Sequence, residues 1–363
     1  MFLYMDIYRC GKIARVSVNS FVRQYPQMEL HLFGVVDDFA WLQDMSSKGK
    51  LVFENISSDK KLLRRWDVHG HWGTAHLWSR LIQSRPEKYL IHLDSDIIFR
   101  GRSLDPIFDK MDQGYDLIGS PRNYKNNLNR RDDVRHLSDL VQTALFAFNR
   151  ELISEHPFEE LVDMVRGYFN PLGHAVIDFF DPVMFEILKN GGKIFYLDID
   201  DYGGTHRDGH RKNVMSELNL AADFGRLLCH YSSVGSGMKY YHDPLSRIFT
   251  PKSYTGHALK RYWSFCRIFY DQDLPIPHDK KYDADLKYKE EIALGVDLHA
   301  VRTGADWILL EKKYHPTFSQ NIKTAINILS EFIRKVVRKS ASFRGQGVWG
   351  NPLKGTIKRK KHT

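Results

Sequence analysis

The sequence predicts an α/β sandwich with a mostly parallel central sheet and a C-terminal helical extension. Three observations carry that expectation. Short apolar runs alternate with stretches of 3–4 residue apolar spacing through the first half of the chain. Gly and Pro punctuate the changes, as at Pro86 and Gly191-Gly192. From Phe318 onward the pattern changes to one long amphipathic stripe with a basic far side.

In order, Phe2–Tyr8 reads as a first strand, and Gly11–Tyr25 has helical spacing through Ile13, Val16, Phe21 and Val22. Met28–Val36 and Leu51–Phe53 read as the next strands, and Trp72–Ile82 as a helix leading to a strand that starts at Tyr89. Asp116–Ser120 and Thr143–Asn149 follow as strands, with Leu137–Gln142 a short helical approach. Phe158–Arg166 and Pro182–Asn190 read as helices, and Lys193–Leu197 as a strand after the Gly191-Gly192 stop. Residues 271–291 are charged and hold two prolines, which suits a surface connection, and a small unit is expected over Ile292–Leu310. Phe318–Val337 places Ile322, Ile326, Leu329, Ile333 and Val336 on one helical face. The expected division is 1–270, a catalytic-sized α/β domain; 271–316, a linker with an accessory segment; and 317–363, an amphipathic helix with a basic tail.

The net charge of +9 belongs to the end of the chain. Residues 334–363 hold ten Lys or Arg and no acid, so the body is close to neutral. That pattern argues against a nucleic-acid groove across the fold and for a local anionic partner, with peripheral contact to an anionic membrane the specific expectation. Three cysteines (Cys10, Cys229, Cys266) without Cys-x-x-Cys spacing fit a reducing, cytoplasmic setting. The opening Met1–Asp6 is charged too soon for a signal peptide, and no apolar run approaches the roughly 18 residues of a membrane span.

The densest chemistry lies in Tyr89-Leu-Ile-His-Leu-Asp-Ser-Asp-Ile-Ile-Phe99. An apolar run behind Pro86 ends in Asp94-Ser95-Asp96. In an extended chain, positions two apart share a side, so the two carboxylates are expected to converge where the strand leaves the sheet. Like charges so close are unfavourable unless a cation lies between them or one keeps its proton. Oxygen ligands suit Mg²⁺ or Mn²⁺, ions that usually leave positions open for substrate phosphates. The same letters also suit a polar turn after a strand. A second acidic cluster, Asp198-Ile-Asp200-Asp201, runs into a Gly-rich loop and ranks behind it.

Taken with what surrounds it, this motif resembles the Asp-X-Asp of nucleotide-sugar-dependent glycosyltransferases of the GT-A fold. The resemblance spans about Phe2 to Tyr241. It rests on the N-terminal strand and helix, Leu93-Asp94-Ser95-Asp96, the strand Thr143–Asn149, and Phe179-Phe180-Asp181-Pro182 before a helix ending at Gly191-Gly192-Lys193. It implies a Rossmann-related α/β/α sandwich and transfer of a sugar from a nucleoside diphosphate to a glycan or lipid-linked acceptor. A divalent ion on Asp94 and Asp96, with Ser95 between them, would stabilise the diphosphate leaving group. The late His230 would be a third metal ligand and would favour Mn²⁺. Gly235-Ser236-Gly237 would offer backbone N–H groups to the diphosphate, with Lys239 beside them. His69, in Trp66-Asp67-Val68-His69-Gly70-His71-Trp72, would lie near the nucleotide and donor sugar. A zinc site on His69, His71 and His76 lacks a carboxylate or Cys at ligand spacing.

For inverting transfer the resemblance puts the base at Asp181, with Asp178 one turn away as the substitute. Asp181 before Pro182 also suits a helix cap. The motif is Phe-Phe-Asp rather than a Glu-Asp pair, so a retaining transferase stays open. Two further readings remain: a nucleotidyltransferase, for which Gly11-Lys12-Ile13-Ala14-Arg15 is a faint phosphate loop, and a non-catalytic sugar-binding scaffold.

Overall fold

The computed structural model describes residues 1–68, 70–121, 141–153, 180–197, 201, 222–223, 227–231, 233–243, 247, 252–275, 289–312 and 326. Phe2-Leu-Tyr-Met is apolar on both pleat faces, and a strand of that kind needs cover on both sides. It forms β1 (Phe2–Asp6), followed by α1 (Gly11–Gln24), β2 (Glu29–Gly34), α2 (Val36–Phe39) and β3 (Lys50–Asn55). Then come α3 (Lys60–Val68), α4 (Gly70–Ser84), β4 (Tyr89–Leu93), β5 (Ile97–Phe99), α5 (Asp105–Asp112), β6 (Leu117–Pro121) and β7 (Val141–Asn149). The rest comprises α6 (Asp181–Lys189), β8 (Ile194–Tyr196), β9 (Ala222–Asp223), β10 (Leu228–His230), α7 (Val234–His242), α8 (Lys252–Phe265), α9 (Lys289–Ile292), α10 (Leu298–Thr303) and α11 (Trp307–Lys312). The expected helix over 158–166 lies outside the described residues, as does the C-terminal stripe except for Ile326. Of the helical approach expected over Leu137–Gln142, residues 137–140 lie outside them, and Val141 and Gln142 are instead the start of β7, paired with β6 at Pro121.

As the alternation of elements implies, the main sheet is mostly parallel. Its seven strands run β3-β2-β1-β4-β7-β6-β8, with β7 antiparallel to both neighbours. A three-stranded antiparallel sheet, β5-β10-β9, stands beside it. The pleat divides the core. Leu3 and Met5 pack with Ile13, Val16 and Phe21 of α1, while Phe2 and Tyr4 pack with Trp78 and Leu81 of α4 and with Phe148 and Phe180.

Every residue of α1 from Gly11 to Val22 is buried, including Lys12 and Arg15. A buried charge must be paired, and the partners come both from the segment after α2 and from the C-terminal side. Arg15 donates to the carbonyls of Val301 (2.9 Å) and Ala300 (2.6 Å) and forms a fork with the Asp44 carboxylate at 2.6 and 2.9 Å. Residues 289–312 are therefore part of the same core, with Ile292, Val301 and Leu310 in the cluster of α1. Leu274 joins them, so the charged stretch expected as a surface connection is anchored at its start; 276–288 fall outside the described residues. Five residues in π-helical turns, Cys266–Tyr270, end α8, and their carbonyls at Ile268 and Phe269 accept from Arg302. The helices α7 and α8 cross closely at Gly237, where an added Cβ would lie 2.0 Å from the Ala258 carbonyl oxygen.

Candidate active site

The carboxyl ends of β1 and β4 meet the small sheet at one edge of the molecule, and three side chains converge there. β4 pairs with β1 on one side and β7 on the other, and Asp94 continues it by donating its N–H to Ala144 O at 2.8 Å. The chain then turns rather than staying extended: Ile97 N reaches Asp94 O at 3.4 Å. Asp94 and Asp96 thus approach through a turn, not through the strand alternation that the sequence suggested. Ser17 on α1 fastens that turn by donating to the carbonyls of Ser95 (2.8 Å) and Ile97. The Ser95 backbone is thereby a structural anchor point.

Register brings in the third group. β10 runs antiparallel to β5 with His230 opposite Ile97, and Tyr231 N donates to Asp96 O at 2.9 Å. His230 Nε2 consequently lies 3.1 Å from Asp96 Oδ1 and 3.5 Å from Asp94 Oδ2. The ligand atoms of Asp94, Asp96 and His230 all lie within 4.8 Å of one another. Burial alone would push the imidazole toward its neutral form. The Asp96 carboxylate, bonded to it, and Asp94 outweigh burial and raise its proton affinity, against the opposing charge of Arg261. Two carboxylates and one imidazole that hold a proton so readily also suit a divalent cation, which is the fit expected of Mn²⁺ or Mg²⁺. Asp94 keeps about a third of its side-chain surface exposed, at 34%, so the cluster opens to solvent.

Helix ends complete the electrostatics. Gly235 and Ser236 belong to the first turn of α7 rather than to a free loop. Ser233, the residue before α7, adopts φ 66°, a left-handed conformation uncommon outside glycine. An added Cβ at Gly235 would lie 3.4 Å from the Sγ of Cys10, the residue preceding α1, so the N-terminal ends of α1 and α7 meet beside the carboxylates. Arg9, just before Cys10, also adopts a left-handed φ of 57°. Helix N-termini favour anions. Lys239 lies one turn further along α7 and is half-buried.

Of the remaining expected site residues, Asp181 opens α6 one residue after Phe180, whose ring packs on Trp78 at 4.5 Å and Phe146 at 4.3 Å. The cap position of that helix is Phe180, so Asp181 is its first helical residue rather than its cap. The Asp181 side chain, Asp178 and His69 lie outside the described residues. Two participants had no assigned part in the sequence reading. Asp6 ends β1 and accepts from Thr74 Oγ1, which itself accepts from Trp66 Nε1 at 3.3 Å. His92 donates from Nε2 to Asp94 Oδ1 at 2.9 Å. A signal existed for His92, because it stands two positions before Asp94.

No family model matches the chain, and no curated protein matches it. Solved structures similar to it include the galactosyltransferase LgtC in complex with donor and acceptor sugar analogs, at 14% identity and a TM-score of 0.42, covering 71% of this chain and 95% of that one. Mouse xyloside xylosyltransferase 1 in its apo form matches at 15% identity and a TM-score of 0.39, over 54% of this chain and 84% of that one. The 4-diphosphocytidyl-2C-methyl-D-erythritol synthase of Anaerococcus prevotii matches at 14% and 0.35, over 60% and 94%. Two of the three are glycosyltransferases by name. None of these scores exceeds 0.42, and the functional reading rests on the site's own geometry.

Proposed function

We propose that the chain is a metal-dependent glycosyltransferase that moves a sugar, with inversion, from a nucleoside diphosphate donor to a glycan or lipid-linked acceptor. The observation that carries this reading is the convergence of Asp94, Asp96 and His230 at the carboxyl edge of a mostly parallel sheet, where such folds bind ligands. A divalent ion held there, Mn²⁺ by preference for its imidazole ligand, would neutralise charge on the departing diphosphate. The first turn of α7 and Lys239 receive the phosphates, and Ser17 keeps the ligand turn from yielding when they bind. Asp181 takes the acceptor's proton, with Asp178 as the substitute, and His69 borders the donor sugar.

One observation separates this reading from nucleotidyl transfer. Lys12, the cation that chemistry would need near the first strand, is fully buried and bonded to Glu311, Gln272 and Tyr262 at 3.0, 2.6 and 3.3 Å, so it does not reach phosphates. The division of labour follows the chain: catalysis in 1–270, support from 271–316, and peripheral attachment to an anionic membrane through 317–363. Among the described residues no helix is long and apolar enough to cross a membrane, and Ile326 is helical and exposed.

A thermal-shift panel of nucleoside diphosphates and their sugars, with and without Mn²⁺, tests the donor. At 100 times its dissociation constant a ligand stabilises by about 2.7 kcal/mol. No metal-dependent shift with any nucleotide would remove the reading. Asp181→Asn is expected to slow transfer by about 10²–10⁴-fold with donor affinity little changed. Loss at Asp178→Asn instead exchanges the two roles, and loss at neither removes the inverting mechanism. Vesicles with anionic lipid should pellet the full chain and not a truncation after Pro316.

A further inference from the structure

His92 is 1% exposed on β4, and its ring is boxed by Trp78, Tyr4 and Phe146 at centroid distances of 5.1, 5.3 and 5.5 Å. Its Nε2 lies 2.9 Å from Asp94 Oδ1. A carboxylate oxygen without a proton only accepts, so Nε2 carries the hydrogen. A ring nitrogen in that state has no lone pair for an ion. Asp6, His92 and Asp94 present ligand atoms within 4.8 Å of one another, in composition a second group of the metal-binding kind. With its hydrogen on Nε2, the nitrogen that faces Asp94 holds a ligand rather than serving as one.

We propose that His92 is a positioning residue that sets the Asp94 carboxylate for cation binding. This rests on the metal-dependent reading above. Asp94 stands past the end of β4 and is a third exposed, outside the hydrogen-bonded strand that holds its neighbours. The bond to Oδ1 fixes the carboxylate plane, which leaves Oδ2 turned toward His230 at 3.5 Å. The aromatic box prevents the imidazole from rotating, and its wall continues through Trp78 to Phe180, one residue before Asp181. Partners that orient a metal ligand typically change metal affinity by about 10–100-fold when removed. His92→Phe fills the box without the N–H, whereas His92→Gln restores a donor that reaches Asp94.

The test titrates Mn²⁺ into the full-length chain without nucleotide, reading free Mn²⁺ by electron paramagnetic resonance alongside a thermal melt. Wild type, Asp96→Asn, His92→Phe and His92→Gln are compared. His92→Phe should weaken Mn²⁺ by about 10–100-fold and His92→Gln should recover most of it, with little change in melting. Equal binding by wild type and His92→Phe, with binding lost in Asp96→Asn, would overturn the positioning role while the metal reading stands. A wild-type chain that retains no Mn²⁺, even with a nucleoside diphosphate added, overturns both. If the Phe variant does not fold, His92→Asn keeps the amide on a stem too short to reach. Gln must then bind more tightly than Asn, and equality overturns the proposal.

Discussion

Two clusters of charge flank the same helix, and their difference separates a structural device from a site. On the side of α1 facing the C-terminal segment, Lys12 is surrounded by Glu311, Gln272 and Tyr262 and lies 4.9 Å from the centre of the Tyr270 ring. Every charge there has an opposite partner. Burial would raise the Glu311 carboxyl, but its bonds to His242 and Lys12 bring it down to about 2. On the other side, Asp94 and Asp96 face the imidazoles of His230 and His92 and open toward solvent, and carboxylate outnumbers cation. A balanced buried cluster holds parts together. An unbalanced, open one is held ready for something that brings the missing charge.

The largest expected effect tests the balanced side. Glu311→Ala leaves the Lys12 ammonium buried without its carboxylate and should cost about 3–5 kcal/mol in chemical denaturation. Lys12→Met with Glu311→Met should recover most of that loss. If the double substitution is as damaging as the single one, the cluster's role is more than pairing.

Next in size, Asp96→Asn should lower transfer by about 10³-fold, a barrier change of about 4 kcal/mol, while leaving the denaturation midpoint unchanged or higher. Lost stability would mean that these carboxylates are structural after all, and the contrast between the two sides would fail. Gly237→Ala should fall below both, at about 1–3 kcal/mol of stability, because its Cβ meets the Ala258 carbonyl oxygen and α7 must move away from α8.

The effects of pH are spread over several units, and at two buried carboxyls they have opposite signs. Glu311 is held below its ordinary 4.5, so its contribution is present above that pH and fades as pH falls toward 2. Asp38 lies buried between the β1–α1 and β2–α2 loops, where it accepts from Val35 N at 3.2 Å and Gly11 N at 3.4 Å. Burial pushes it up from 3.8 to about 7 despite those bonds. The folded form therefore binds more protons between 3.8 and 7, and Asp38 lowers stability as pH rises through that window. Asp38→Asn should flatten the decline as pH rises from 3.8 to 7, and Glu311→Gln the decline as pH falls from 4.5 toward 2, read from midpoints across a pH series. A single profile shared by both variants would show that other groups dominate.

Much of this was legible from the chain. The helices at Gly11 and Trp72 and the apolar strands at Phe2, Met28 and Tyr89 follow from apolar patterning, and a parallel sheet from their alternation. Asp94 and Asp96 announced themselves by position. What was hidden has two physical causes. β5 and β10 are three residues each, too short to show a period, so the pairing that sets His230 opposite Ile97 left no pattern. Lys12 and Glu311 lie at opposite ends of the chain, and nothing local in either segment names the other. The Ser95 carbonyl, held by Ser17, is likewise a backbone contact that side-chain spacing does not encode.

The antiparallel register of β5 with β10 also bears on how the chain reaches its final state. Asp94 and Asp96 are in place once β4 docks and α1 covers it, and all of that lies in the first part of the sequence. His230 arrives from far downstream, and closing a segment of that length costs entropy before any bond rewards it. During synthesis the carboxylate pair emerges first and the imidazole that completes the triad emerges late, so the set of ligand atoms is complete only once β10 has paired with β5.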